Sequence, residues 1–303
     1  MKLIWTTTAS VILQEDNTTI AFDPFCSLYC ETKVRRRTSA LPGTSLTRDA
    51  DRTADDPISP TRMKRRQLAN FAQRRRQHVG LYRQASHVFV THGHFDHIMH
   101  IPQLYKAAPS VMIHATETPC ATLAAKGIPA NLLHRIRPGD TVQADPFTVT
   151  AFPSRHCRFD LRLVLQTLRR TLRTRQMHRL LHLLILNQRY RENGETLFYE
   201  VSCRGRRIQI MGSLNLEPDI SYPTGADLLV LPYQGKSHLA PYAAQLLDRL
   251  RPKAVLIDHH DDSFPPMTAP IDPGDLVRQL DIPVFYGKAE SESQDSLFYI
   301  WEV

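Results

Sequence analysis

Short apolar runs alternate with polar breaks along most of the chain, and the first two set the theme. Ala9–Leu13 and Thr18–Phe22 are rich in β-branched and aliphatic residues and are separated by Glu15-Asp16-Asn17. That pattern predicts a hairpin ending at Asp23-Pro24. Further strands are predicted at Val88–Thr91, Val111–His114, Phe147–Phe152, Thr196–Val201, Arg207–Met211, Leu228–Leu231, Ala254–Ile257, Val284–Tyr286 and Leu297–Trp301. Helical stretches fall between several of them, as at Pro241–Leu250 and Pro273–Leu280. Hairpins at the start and strand-helix-strand units later imply an α/β arrangement, with sheets covered by helices.

Two basic segments interrupt this rhythm, at about residues 31–84 and 158–195. The first runs through a Ser/Thr/Asp/Pro-rich stretch, Thr38 to Pro60, into a helix-prone run with Lys64-Arg65-Arg66 and Arg74-Arg75-Arg76. In the second, Leu161, Leu165, Leu168 and Leu172, then Leu180, Leu183 and Leu184, alternate with arginines at near-helical spacing. One or two amphipathic helices laid on the core are expected there. Both segments are read as insertions in a single domain spanning 1–303.

Composition narrows the partners. The 303 residues are 42% hydrophobic and 22% charged, which is ordinary for a globular chain. A formal charge of +8 favours anionic partners: a phosphorylated metabolite, nucleic acid or an acidic membrane surface. Few aromatics are interleaved with the arginines, so stacking of single-stranded bases has little support and no specific nucleic acid is expected. No run reaches the roughly 18 apolar residues of a membrane span, and the start reads as polar threonines rather than an apolar leader. A cytoplasmic location is the expectation. Five scattered cysteines fit reduced thiols, with Cys26 and Cys30 packed near a turn.

The chemistry concentrates in Thr91-His92-Gly93-His94-Phe95-Asp96-His97, directly after an apolar strand. His92 and His94 lie two apart, so in an extended loop their rings face the same way, and Gly93 gives the backbone room to turn. Asp96 and His97 then point to an adjacent position. Imidazole nitrogen and carboxylate oxygen are the ligands of zinc and related first-row metals.

These residues resemble the metallo-β-lactamase superfamily, whose motif is H-x-H-x-D-H at a strand end. The resemblance implies a four-layer αββα sandwich of two facing mixed sheets, with the metal at the sheet edge. It further implies that His92 and His94 bind one ion together with His156, in Pro153-Ser154-Arg155-His156-Cys157. Asp96 and His97 would bind a second ion with a late histidine, His259 rather than the adjacent His260. Asp23 matches the family aspartate that supports the site without ligating. Where most members carry Gly-Asp, whose carboxylate bridges two metals, this chain has Gly212-Ser213. A neutral hydroxyl is a poor substitute, so one tight ion is expected, with the second uncertain. Asn215, Glu217 and Asp219 are the nearby replacements.

The functional expectation is a hydrolase that uses a metal-activated water on a small anionic, phosphorylated ester or lactone. The ion would be zinc, with manganese or iron as alternatives. Asp96 is the expected proton acceptor. Arg155, and Tyr233 and Lys236 in the loop after Leu228–Leu231, are expected to hold the substrate. A nuclease and a non-catalytic metal sensor are the competing readings. His87, His100, His114, His134 and His238 are left outside the site, and the oligomeric state is open.

Overall fold

The computed structural model describes residues 1–25, 80–175, 177–261, 271–286 and 299–302. Cys26, Cys30, the Thr38–Pro60 stretch and the arginine run after it lie outside these residues.

Period-2 alternation builds the first sheet. It comprises β1 (Lys2–Thr7), β2 (Ser10–Glu15), β3 (Thr18–Phe22), β4 (Ala85–Phe89), β5 (Met112–Ala115), β6 (Leu133–Arg135) and the late strand β14 (Tyr299–Glu302), in the order β14-β1-β2-β3-β4-β5-β6. The predicted hairpin is present, with Val11 opposite Phe22 and Leu13 opposite Ile20. Beyond it β3, β4, β5 and β6 run parallel. Their connections carry α1 (Phe95–Ile98), α2 (Ile101–Ala107) and α3 (Glu117–Ala124).

The second sheet follows in the chain: β7 (Thr141–Ala144), β8 (Phe147–Ser154), β9 (Thr196–Cys203), β10 (Arg206–Met211), β11 (Leu228–Pro232), β12 (Val255–Asp258) and β13 (Val284–Tyr286). Its order is β13-β12-β11-β10-β9-β8-β7, antiparallel from β7 to β10 and parallel from β10 onwards. Between β8 and β9 stand α4 (Leu161–Arg173) and α5 (Met177–Arg189); α6 (Ala240–Leu250) and α7 (Gly274–Val277) belong to the parallel half.

Three apolar layers show how the sheets stack. Leu3, Val11, Leu13, Ile20, Phe22 and Phe89 from the first sheet meet Val149, Tyr199, Val201, Ile208, Ile210 and Leu256 from the second in one buried cluster. On the outer face of the first sheet Ile4, Ile12, Val88 and Ile113 pack against Ile98, Ile101, Leu104, Leu123 and Leu186. On the outer face of the second, Phe198, Leu229, Leu231 and Ile257 pack against Ala243, Leu246, Leu247 and Leu250 of α6 and Leu276 of α7. The result is the αββα sandwich, in which β11 and β12 are buried along their whole length because both faces are covered, while β8 alternates buried and half-buried residues.

Two expectations need correcting. β1, β6 and β7 are additional strands: β1 was read as polar because of its threonines, yet Leu3, Ile4 and Trp5 are core. The helices between β8 and β9 exist, but only α5 is laid on the core, through Leu180, Leu183 and Leu186. α4 turns Thr171 inward and Leu161, Leu165, Leu168 and Leu172 outward.

A row of stacked rings crosses the parallel half of the first sheet. His87 Nδ1 lies 2.9 Å from His114 Nε2, and the His114 ring stacks on Phe89 at 4.7 Å and His134 at 5.2 Å. Burial, with the charges of His87 and His134, pushes the His114 pKa down to about 3. The folded state therefore binds fewer protons than the unfolded chain, whose histidine titrates near 6.5. Stability is lost as pH falls from about 6.5 towards 3, by about 1.4 kcal/mol per unit from this group. Urea denaturation of His114→Phe at several pH values should show a shallower acid slope than the unmodified protein. Equal slopes would remove His114 as the cause.

Candidate metal centre

At the end of β4 the chain is fixed before it reaches its histidines. Asp23, just past β3, accepts hydrogen bonds from the Thr91 amide to Oδ1 at 2.8 Å and from the Thr91 hydroxyl to Oδ2 at 2.5 Å. Its Oδ2 also lies 2.8 Å from His97 Nδ1. Since the Thr91 hydroxyl gives its only proton to Asp23, His92 Nδ1, 3.1 Å from that oxygen, must donate to it. The Nε2 lone pairs of His92 and His97 are thereby left free, the arrangement by which a carboxylate or hydroxyl orients a ligating imidazole.

Gly93 and Gly212 are there for close approach. A Cβ at Gly93 would stand 2.1 Å from the Arg191 carbonyl oxygen, and one at Gly212 would stand 2.3 Å from both Cβ and Oγ1 of Thr91. The expected role of Gly93 in turning the backbone is thus replaced by a steric one: the segment after α5 rests directly on the histidine turn. The end of β10 likewise touches Thr91, which ties the second sheet to the first. The Thr91 carbonyl accepts from the Leu197 amide at 2.8 Å, and the Tyr199 hydroxyl donates to the Val90 carbonyl at 2.7 Å.

Two groups of donors converge here. His92, His94 and His156 place one nitrogen each within 4.8 Å of the others, and a carboxylate oxygen of Asp96 and one nitrogen each of His97 and His259 are grouped within the same distance. His92 Nε2 is 3.1 Å from His94 Nδ1, close to the edge of a tetrahedron with metal–nitrogen bonds of about 2.0–2.1 Å. The groups are neighbours, with the His92 and His97 rings 3.8 Å apart. His259 Nε2 lies 3.3 Å from Asp96 Oδ2, whereas His260 stacks on Trp5 at 5.1 Å. His259 has φ of 54°, a left-handed conformation uncommon outside glycine, and its amide donates to the Thr8 carbonyl at 2.9 Å. Held so, it faces Asp96.

The electrostatics suit a cation. Burial, reinforced by the neighbouring histidines, holds the His92 pKa well below its ordinary value; burial likewise lowers His94 and brings His156 to about 4. All three are neutral at pH 7, the form in which imidazole ligates. Burial raises the Asp96 pKa, but the charge of His97 and the hydrogen bond from His259 outweigh it and hold the carboxyl well below the carboxylate range. For His259, burial is outweighed by the hydrogen bond and charge of Asp96, which raise its pKa. His259 Nδ1 is buried with no hydrogen-bond partner among the described residues.

Ser213 does not stand in for a bridging carboxylate: its Oγ accepts from the Cys157 amide at 2.8 Å and so positions the loop carrying His156. Beside His156 opens a cavity of about 630 Å³ lined by Arg155, Arg158, Glu192, Asn215 and Glu217. Arg155 lines it with its charge already engaged, Nε being 2.6 Å from Glu217. Tyr233 is not at the cavity. It is buried in the core beneath α6, and burial pushes its hydroxyl pKa up to about 12. Lys236 stands over the Tyr242 ring at 4.9 Å and is not among the lining residues. Glu192 carries no motif and escaped the sequence reading. It sits one residue past the carbonyl that contacts Gly93, accepts from the Thr196 hydroxyl at 2.6 Å, and its charge raises the pKa of His94 and His156.

A family profile described as a beta-lactamase superfamily domain matches residues 56–260. The chain belongs to the metallo-β-lactamase superfamily. The class of enzyme that goes with this membership is a metal-dependent hydrolase. Similar solved structures show the same fold. Igni18, a metallo hydrolase from the archaeon Ignicoccus hospitalis, is 16% identical with a TM-score of 0.56, covering 100% of this chain and 98% of its own. PqqB from Methylobacterium extorquens, bound to zinc, is 13% identical with a TM-score of 0.51, covering 98% and 88%. CmlA, a diiron β-hydroxylase from Streptomyces venezuelae, is 12% identical with a TM-score of 0.55; the match covers 100% of this chain but 54% of that one. A comparison with curated proteins gave no match.

The contact between Gly212 and Thr91 gives a direct test. Gly212→Ala forces a methyl group into Thr91, so the protein should lose about 1–3 kcal/mol of stability as the sheets part locally. The readouts are denaturant unfolding and metal affinity, and both should fall. An unchanged midpoint would show that the two sheets do not meet there.

Proposed function

We propose that the protein hydrolyses a small anionic ester or lactone, with His92, His94 and His156 holding the principal ion and Asp96, His97 and His259 offering a weaker second position. The observation that carries this reading is the convergence of six donors from both sheets into two adjacent triads, with Nδ1 of His92 and His97 already engaged. The donor set fits zinc, manganese and iron alike. One superfamily relative holds zinc and another two irons, so likeness does not choose among them. Because Ser213 brings no charge between the triads, the first ion is the tight one.

When bound, the ion supplies a Lewis acid for a substrate oxygen and lowers the pKa of a water to near neutrality. Asp96, ionised and hydrogen-bonded by His259, orients the proton donor, its lowered pKa making it a weak acceptor. Glu192 offers a second proton-handling carboxylate on the cavity wall. Arg158 supplies positive charge to an anionic substrate in the same cavity, with Arg155 contributing less because Glu217 pairs with it.

Metal analysis of the purified protein should find about one tightly held ion per chain, lost in His92→Ala, since two imidazoles offset the dehydration of the ion poorly. Retention of the ion in that variant would sink the assignment. A panel of phosphomonoesters, phosphodiesters and lactones, with and without chelator, tests the activity. Turnover that survives complete chelation, or none with the ion bound, would refute hydrolysis at this site.

Arg158→Gln should raise KM for a phosphorylated substrate on the order of 10- to 100-fold, the loss of one charge-assisted hydrogen bond. Arg155→Gln should raise it less. Steady-state kinetics that reverse this order would displace the substrate from the cavity.

A further inference from the structure

α4 is built inside out, and α5, though laid on the core by one face, leaves other leucines in solvent. In a helix covering a core the apolar stripe faces inward, yet along α4 Leu161, Leu165, Leu168 and Leu172 point to solvent while Thr167 and Thr171 face the protein. Leu161 is 73% and Leu172 55% exposed, and on α5 Leu181 is 61% and Leu184 52% exposed. Among the described residues, ten of the thirteen exposed large hydrophobics lie between Phe159 and Ile185. They form a patch, rather than the scattered apolar side chains of an ordinary surface.

Charge selects the occupant. Residues 161–191 carry eight arginines and no acidic residue. On α4, Arg162, Arg169 and Arg173 repeat at intervals of seven and four, which sets them in a row alongside the leucine stripe on the helix cylinder. A second copy of the chain would bring arginines against arginines. A bilayer with anionic headgroups answers both features, because it takes leucines into the acyl boundary and pairs arginines with phosphates. No helix among the described residues is long and apolar enough to cross a membrane, so the helices would lie on the surface.

The hairpin is also anchored to the site. Asp160 caps α4 through the Leu163 amide, and its other oxygen accepts from the Ser237 amide and hydroxyl at 2.7 and 2.9 Å. The chain enters the helices from His156 and Arg158 and returns through Glu192, and all three line the cavity. We propose that α4 and α5 form an interfacial docking element that seats the protein on an anionic lipid bilayer with the cavity beside the surface. The proposal does not depend on what the site hydrolyses.

Flotation with vesicles of phosphatidylcholine alone and of equimolar phosphatidylcholine and phosphatidylglycerol tests it on the full-length chain. Binding is expected to the anionic vesicles, falling as salt rises. Leu168→Gln with Leu172→Gln should weaken it roughly 100-fold, the loss of two leucines from the acyl boundary. Arg169→Glu with Arg173→Glu should abolish the preference for anionic lipid. These side chains are exposed, so unfolding midpoint and metal content should stay unchanged, separating docking from damage. No vesicle binding, or binding that both double variants leave intact, would overturn the proposal. So would a dimer, seen by sedimentation without lipid, that the leucine substitutions turn into a monomer.

Discussion

The carboxylate of Asp23 is the constraint on which the site rests. One side chain satisfies a backbone amide and a hydroxyl at the start of the histidine motif, on Thr91, and an imidazole at its end, on His97. A buried carboxylate is tolerated only when its lone pairs are taken up in this way. Geometry passes from it in sequence. Thr91 fixes the orientation of His92, the same hydroxyl lies against the strand end at Gly212, and Gly212 leads to Ser213, which holds the loop of His156.

Much of this was legible in the sequence, for reasons that differ by element. β3 and β13 were read to the residue, because short β-branched or aromatic runs between turn residues have few alternatives. The H-x-H-x-D-H segment was legible because so many donors in so few positions have no packing purpose. β1 was lost to its threonines, which are adequate strand residues once Leu3, Ile4 and Trp5 find a core. β6 and β7 are three and four residues long, too short for alternation to register. In α4 the period was right and the facing wrong: periodicity reports that a stripe exists, and only tertiary structure tells which side meets the protein.

The site residues divide along the same line. Asp23, Ser213, His156 and His259 stand where strand ends meet, and a strand followed by polar residues marks such places. The choice of His259 over His260 needed the turn that aims one ring at Asp96 and the other at Trp5. Tyr233 follows a strand as well, but β11 is central and buried, so the residue after it is still inside. Glu192 has no local mark, and its position comes from the carbonyl before it meeting a glycine a hundred residues earlier.

The two sheets contribute unequally but jointly to the donor groups. His92, His94, Asp96 and His97 hang from the first sheet, and His156 and His259 from the second. Neither triad is complete until the sandwich has closed, so the unfolded chain holds no comparable site. An ion bound there would act as a rivet between the layers, its free energy of binding added to that of folding. With such an ion in place, thermal tolerance would follow free metal concentration, and metal starvation would be felt first as a loosening of one sheet from the other.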